Sequence, residues 1–292
     1  MDGRQQSISH LIGWMLIAIS GYVLFAVCVR LLRGVFSIYE IAAFRSLGAI
    51  AFCSFLVARK PVILDDLRSI DLKFHVARSA LQAAGTLAIV SSIALVPLGL
   101  VSALEFTGPI FAALFVFILT RSLPDRLSWL GLAAIFFGAG ALVMQFLGGV
   151  GFAILLPILG TATLTMTNMM LARLAARHRS TTIMLVMAVL QLPIYLLGAF
   201  VWGKGFQFGG VGPLQLGAVA GVALTGFATQ MALANATRYG SDLQVSALDV
   251  LRIPAVALVA YTVFAERLSL QANLQILLIM LGICILAFIR KR

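Results

Sequence analysis

Charge is scarce in this chain. Of its 292 residues only 11% are Asp, Glu, Lys or Arg, whereas a water-soluble protein typically carries about 25%. With 62% hydrophobic residues and a mean hydropathy of +1.08, the apolar surface exceeds what a soluble core can hide. Lipid is therefore the solvent. Cysteine is scarce as well: Cys28, Cys53 and Cys284 fall inside apolar runs without metal-ligand spacing, which reads as small buried hydrophobes and not as a metal centre. The histidines His10, His75 and His178 all lie at the edges of apolar runs, so no Ser/His/Asp set can assemble in mid-membrane. No GxxxxGK[ST] sequence occurs, which removes an ATP-binding loop. Hydrolysis and primary pumping have no residues to run them: the sequence implies no enzyme, no cofactor and no metal.

Acidic residues number 10 against 21 basic ones, a formal charge of +11. In a soluble protein that balance would suggest nucleic acid. Here the basic residues sit between apolar runs, where they orient the chain in its membrane, so nucleic acid is not expected as a partner.

What is abundant is long apolar runs. A bilayer core of roughly 30 Å needs about 20 apolar residues of helix, and ten runs qualify: Leu11–Leu32, Ile38–Ala58, Phe74–Val96, Leu98–Leu119, Trp129–Leu147, Gly151–Ala175, Thr182–Trp202, Leu214–Thr237, Asp242–Phe264 and Asn273–Ile289. The first is too long, and lacks the cleavage-like end, for a removable signal peptide. Connections are short, so neighbouring spans are antiparallel; the longest, Arg59 to Lys73, is polar and suits a short surface helix. No extramembrane segment is large enough for a soluble domain. With the amino terminus cytoplasmic, the outer side holds only Arg30, Arg33, Lys204 and Arg267, against fifteen basic residues inside. The positive-inside bias thus places both termini in the cytoplasm.

The chain also repeats itself. Val101-Ser102-Ala103-Leu104-Glu105, with Pro109 beyond, returns as Val245-Ser246-Ala247-Leu248-Asp249 with Pro254 beyond, and Asp125-Arg126-Leu127-Ser128 returns as Glu266-Arg267-Leu268-Ser269. The expected architecture is all-α and integral to the membrane: ten transmembrane helices in two five-helix repeats, residues 1–147 and 148–292. Five is odd, so the second repeat is inverted, an arrangement that places a transporter's site where the halves meet.

Four charged residues lie within spans: Arg45, Glu105, Asp249 and Arg252. (Glu40, in the first turn of span two, is expected to stay wet.) An ionised side chain there costs about 2.5–3.5 kcal/mol even on the lenient insertion scale, so it faces the bundle interior with a partner. Arg45 and Glu105 match in depth, and Asp249 and Arg252 are i,i+3 neighbours, which predicts two charge pairs. Two readings stand: structural pairs that hold helices in register, or groups that exchange a proton or meet a charged substrate. Polar stripes complete the candidate binding set. They are Ser79, Gln82 and Thr86 on span three, Thr161, Thr165 and Asn168 on span six, and Thr225 and Thr229 on span eight; these line a wet cavity or bond between helices. On span one Trp14, Ala18, Gly21 and Phe25 share a face with Tyr22 beside it. Pro109, Pro157, Pro193 and Pro254 are expected to kink their spans as hinges, and Gly217 and Gly221 favour close packing of span eight.

Glu40-Ile41-Ala42-Ala43-Phe44-Arg45, Pro109-Ile110-Phe111-Ala112-Ala113-Leu114, Asp125-Arg126-Leu127-Ser128-Trp129-Leu130-Gly131 and the later echo from Pro254 to Ser269 together resemble the EamA branch of the drug/metabolite transporter superfamily. Within it the chain looks most like the YddG-type amino-acid exporters of bacterial inner membranes. The resemblance covers nearly the whole chain, although Pro124 departs from the family's approach to span five. It implies a basket whose cavity is lined by spans one, three, four, six, eight and nine, with spans five and ten peripheral. It places Tyr22, Gln82, Glu105, Asn168, Thr229 and Asp249 on cavity helices. The expected function is export of amino acids, apolar and aromatic ones included, by alternating access. An exporter of cationic drugs or other small metabolites is the alternative within the class, and a membrane-embedded enzyme or lipid-moving protein the alternative outside it. Monomer and homodimer both remain open.

Overall fold

The computed structural model describes residues 2–59, 66, 70–175, 178–203, 205–240 and 242–289. These residues form helices and turns, apart from one isolated bridge between Arg33 and Phe36. Spans one to three are the unbroken helices Asp2–Leu32, Ile38–Arg59 and Leu72–Leu95. Span four comes in two pieces, Leu98–Glu105 and Gly108–Thr120. The apolar stretch Arg126–Leu171 runs for 46 residues, about twice one crossing. It is divided at Gly151, whose φ of +66° glycine adopts freely, and by the 3-10 turn Gly151–Leu155. Span five is therefore Arg126–Val150 and span six Leu156–Ala175. Spans seven and eight are Ser180–Trp202 and Pro213–Tyr239, span nine is again split into Asp242–Asp249 and Arg252–Phe264, and span ten is Leu270–Ile289. The suggested surface helix between Arg59 and Lys73 falls largely outside the described residues.

The two splits share one physical cause. Proline lacks the N–H that would bond to the carbonyl four residues back. Pro109 thus leaves Glu105 without its helical donor, and Pro254 leaves Val250 without one. In each span the chain makes tighter i→i+3 turns at that point: Thr107 N–H bonds to the Leu104 carbonyl and Leu251 N–H to the Leu248 carbonyl, both at 3.1 Å. Pro109 then sits near the start of the next helical piece, where the missing N–H costs nothing. The expected kinks at these prolines are breaks, and they fall beside the acids. Both split spans also end in a left-handed residue, Arg121 and Ala265. Pro157 is the second residue of span six, and Pro193 lies in the interior of span seven.

The spans pack in a pattern that survives exchange of the two halves. Span one lies on span eight and span three on span six; span two meets span seven, four meets nine, and five meets ten. The contacts of span two with eight and of span three with seven are likewise interchangeable, as are those of one with nine and four with six. Glycine permits the closest approaches. A Cβ on Gly48 would collide with the Ala223 backbone, and Gly131 and Gly282 face each other's backbone between spans five and ten. Of the pair expected on span eight, Gly221 meets Cys28 while Gly217 faces open space.

Glu40 is not wet. It is completely buried and forms a capping box with Ser37: its carboxylate accepts from the Ser37 N–H at 2.6 Å while the Ser37 hydroxyl accepts from the Glu40 N–H. Its other oxygen accepts from the Phe206 N–H at 2.5 Å, tying span two to the connection after span seven. On the same side of the bundle Arg30 donates to the carbonyls of Ile93, Ala94 and Val96 and pairs with Glu266. Glu266 also accepts from the Leu98 N–H at 2.8 Å. The turn between spans three and four thus has its loose backbone groups satisfied by two charged side chains from elsewhere, as a helix end away from water requires. Large apolar side chains such as Leu16, Phe136, Phe137, Leu197 and Phe200 point outward, which lipid permits.

Candidate substrate cavity

A cavity of about 320 Å³ lies where the spans converge, within the range of small-molecule sites. Each wall is one helix face. Span one contributes Ala18, Tyr22 and Phe25; span three Gln82, Thr86, Ile89 and Val90; span six Thr161, Leu164, Thr165 and Asn168. Span eight adds Gly226, Thr229, Gln230 and Leu233. Glu105 and Gly108 come from the break in span four, Asp249 and Arg252 from the break in span nine, and Arg45 reaches in from span two.

Two expected members lie off this wall. Ser79 is buried one turn away from Gln82, and its carbonyl accepts from Gln191 on span seven at 3.4 Å. Thr225 turns its hydroxyl back to the Gly221 carbonyl at 2.6 Å. The facing register of span eight is 226, 229, 230 and 233, not the 225 and 229 of the threonine stripe. Gln230 is the residue the sequence reading missed. Its signal was a polar amide inside an apolar run, hidden by the more regular threonine spacing. From span one, Trp14 and Gly21 do not reach the cavity; a Cβ on Gly21 would lie 2.6 Å from the Thr229 hydroxyl, so that glycine is what admits span eight.

The charges pair differently from expectation. Asp249 and Arg252 do meet, at 3.5 Å. Glu105, however, takes Arg252 at 2.8 Å and the Tyr22 hydroxyl at 2.5 Å, not Arg45. Matched depth points to Arg45, but span four packs on spans nine and six, so Arg252 is the cation within reach. The Arg252 guanidinium also lies over the rings of Tyr22 and Phe106, at 4.3 Å and 4.8 Å from their centroids. The helix break makes this possible. Glu105 and Asp249 end their helical pieces and Arg252 begins the next, so three charges from two spans converge at two unwound points. Arg45 instead donates to the Thr86 hydroxyl at 3.1 Å and lies over the Phe25 ring. The buried Gln82 Oε1 and Thr229 Oγ1, both on cavity residues, have no hydrogen-bond partner among the described residues.

Among the described residues, helices long and apolar enough to cross a membrane surround a polar chamber, and two of them are broken beside carboxylates; this is a multi-pass membrane protein. Residues 10–144 match the EamA-like transporter family, and that match indicates a membrane transporter of small solutes. A comparison with curated proteins finds no match. Among 27 matching chains of solved structures, one described as "Crystal structure of protein" shares 15% identity over 96% of this chain and 99% of its own, with a TM-score of 0.58. At that identity the likeness speaks for the fold alone. Among the described residues no group of His, Cys, Asp and Glu is placed to hold a metal ion.

Proposed function

We propose that the protein is a secondary carrier that exports amino acids, apolar and aromatic ones included, across a bacterial inner membrane. Its two five-helix halves, residues 1–147 and 148–292, are inverted relative to one another, and both termini are cytoplasmic. One half opens the cavity outward by the motion with which the other opens it inward. The interchangeable packing of the spans supports this reading, since a pseudo-symmetric bundle has two equivalent ways to close. The observation that carries the substrate class is the cavity wall. It combines both signs of charge with the amides of Gln82, Asn168 and Gln230 and the apolar faces of Phe25, Ile89 and Leu164, which suits a zwitterion with an apolar side chain. The cationic-drug alternative draws less support. It needs Glu105 and its neighbouring rings to be free for a foreign cation, and Arg252 already fills that place.

Uptake into proteoliposomes of a panel of amino acids and quaternary cations, with and without a pH gradient, tests the proposal. Amino acids should move and tetraphenylphosphonium should not. Changing Gln82 or Asn168 to leucine, or Thr229 to valine, should reduce transport while folded yield is retained. Transport of the cation alone would replace this reading with the drug exporter. Normal transport by all three variants would remove the cavity assignment.

A further inference from the structure

Four formal charges face the cavity, and three are bound to one another. Glu105, Arg252 and Asp249 form a chain with contacts of 2.8 Å and 3.5 Å, leaving one negative charge in surplus at the span-four and span-nine end. The fourth, Arg45, has a neutral hydroxyl and an aromatic face as partners and no carboxylate among the described residues. A cation within a membrane span that lacks a counter-ion is costly. Its stem is nevertheless held in place: a Cβ on Gly226 would lie 2.6 Å from the Arg45 Cγ and 3.0 Å from its Cδ, so span eight keeps a glycine where the arginine passes. A guanidinium offers five donors in a planar fork matched to a carboxylate, and one contact to Thr86 leaves most of them unused.

We infer that Arg45 is the anchor for the carboxylate of the transported solute, and that the surplus negative charge beside Asp249 receives its ammonium group. Resting on the amino-acid reading above, this sharpens it: the free α-carboxylate is obligatory, and the solute lies with its carboxylate toward spans two and three. Esters, amides and simple amines of the same size lack the group that Arg45 requires.

The test compares L-phenylalanine, L-phenylalaninamide, 2-phenylethylamine and 3-phenylpropanoate as ligands of the purified protein, by thermal stabilisation and by competition for transport. In the unaltered protein phenylalanine should bind at least about tenfold more tightly than the amide or the amine, the scale of a lost charge-assisted bond. Arg45→Gln should bring the phenylalanine-to-amide ratio down to about one, Arg45→Lys should keep part of it, and Gly226→Ala should lower it by displacing the arm. Equal binding of acid and amide by the unaltered protein overturns the inference while leaving amino-acid transport intact, and does so without any variant. An unchanged ratio in a folded Arg45→Gln protein overturns it as well. Binding of 3-phenylpropanoate that depends on Arg45, with no amino acid bound or moved, would end the amino-acid reading and uphold the carboxylate anchor. Binding of none of the carboxylates would end both.

Discussion

Glu105 joins span one through Tyr22 and span nine through Arg252. Removing one member of a buried pair strands the other, at a cost of about 3–5 kcal/mol, whereas removing both costs far less. Glu105→Gln should therefore lower the thermal midpoint, and recovery should need Arg252→Gln together with Asp249→Asn in the same protein, since Arg252→Gln alone strands Asp249. Arg45→Gln should recover none, because Arg45 is not the partner; recovery through Arg45 would contradict the pairing described here. At the edge of the bundle, Asp66 shows the same logic in water. Burial pushes its carboxyl up, but bonds from the Arg179 N–H and His178 together hold it below the usual range. A depressed folded value means a stabilising contribution that is complete above the unfolded value of about 3.9 and is lost as pH falls through the folded one. Lowering pH below about 4 should thus loosen the connection before span seven, an effect absent in Asp66→Asn, as measured by proteolytic nicking between spans six and seven.

Two elements depend on a missing group. Spans four and nine are split because proline cannot donate, and the splits set the angles at which Glu105 and Asp249 enter the cavity. Pro109→Ala returns the N–H that the Glu105 carbonyl lacks, so the helix can continue through the break. The variant should be at least as heat-stable as the parent yet transport more slowly; full transport would show that the break is incidental. Spans two and eight depend on the absence of a Cβ. Gly48→Ala pushes its methyl group into the Ala223 backbone and should destabilise by about 1–3 kcal/mol, as overpacking does, without changing which solutes bind.

Across the whole molecule, the proposed topology puts both termini on one side of the bundle and the Arg30–Glu266 and Glu40–Phe206 ties on the other. In a protein whose native cysteines are replaced, Leu72→Cys and Gly209→Cys should react oppositely with an impermeant thiol reagent applied to intact cells. Leu72 is exposed at the start of span three, and a Cβ at Gly209 meets open space, so neither change should disturb folding. Labelling of Leu72→Cys from outside would reverse the orientation.

Hydropathy alone located the spans, because bilayer thickness imposes one length on every crossing and that length is local in sequence. The position of Glu105 and Asp249 along their spans is legible for a similar reason: a helix rises 1.5 Å per residue, so position along a span converts directly to height. Direction around the helix did not follow. The threonine spacing on span eight points to 225 with 229, where packing selects 226, 229, 230 and 233. A repeating threonine says nothing about which neighbour a helix face will meet. Nor did depth reveal that Glu105 would choose Arg252, 147 residues away, over Arg45, or that Arg45 would stand without a carboxylate. Height belongs to the single helix and the membrane; partnership belongs to the bundle, and only the tertiary packing of distant spans decides it.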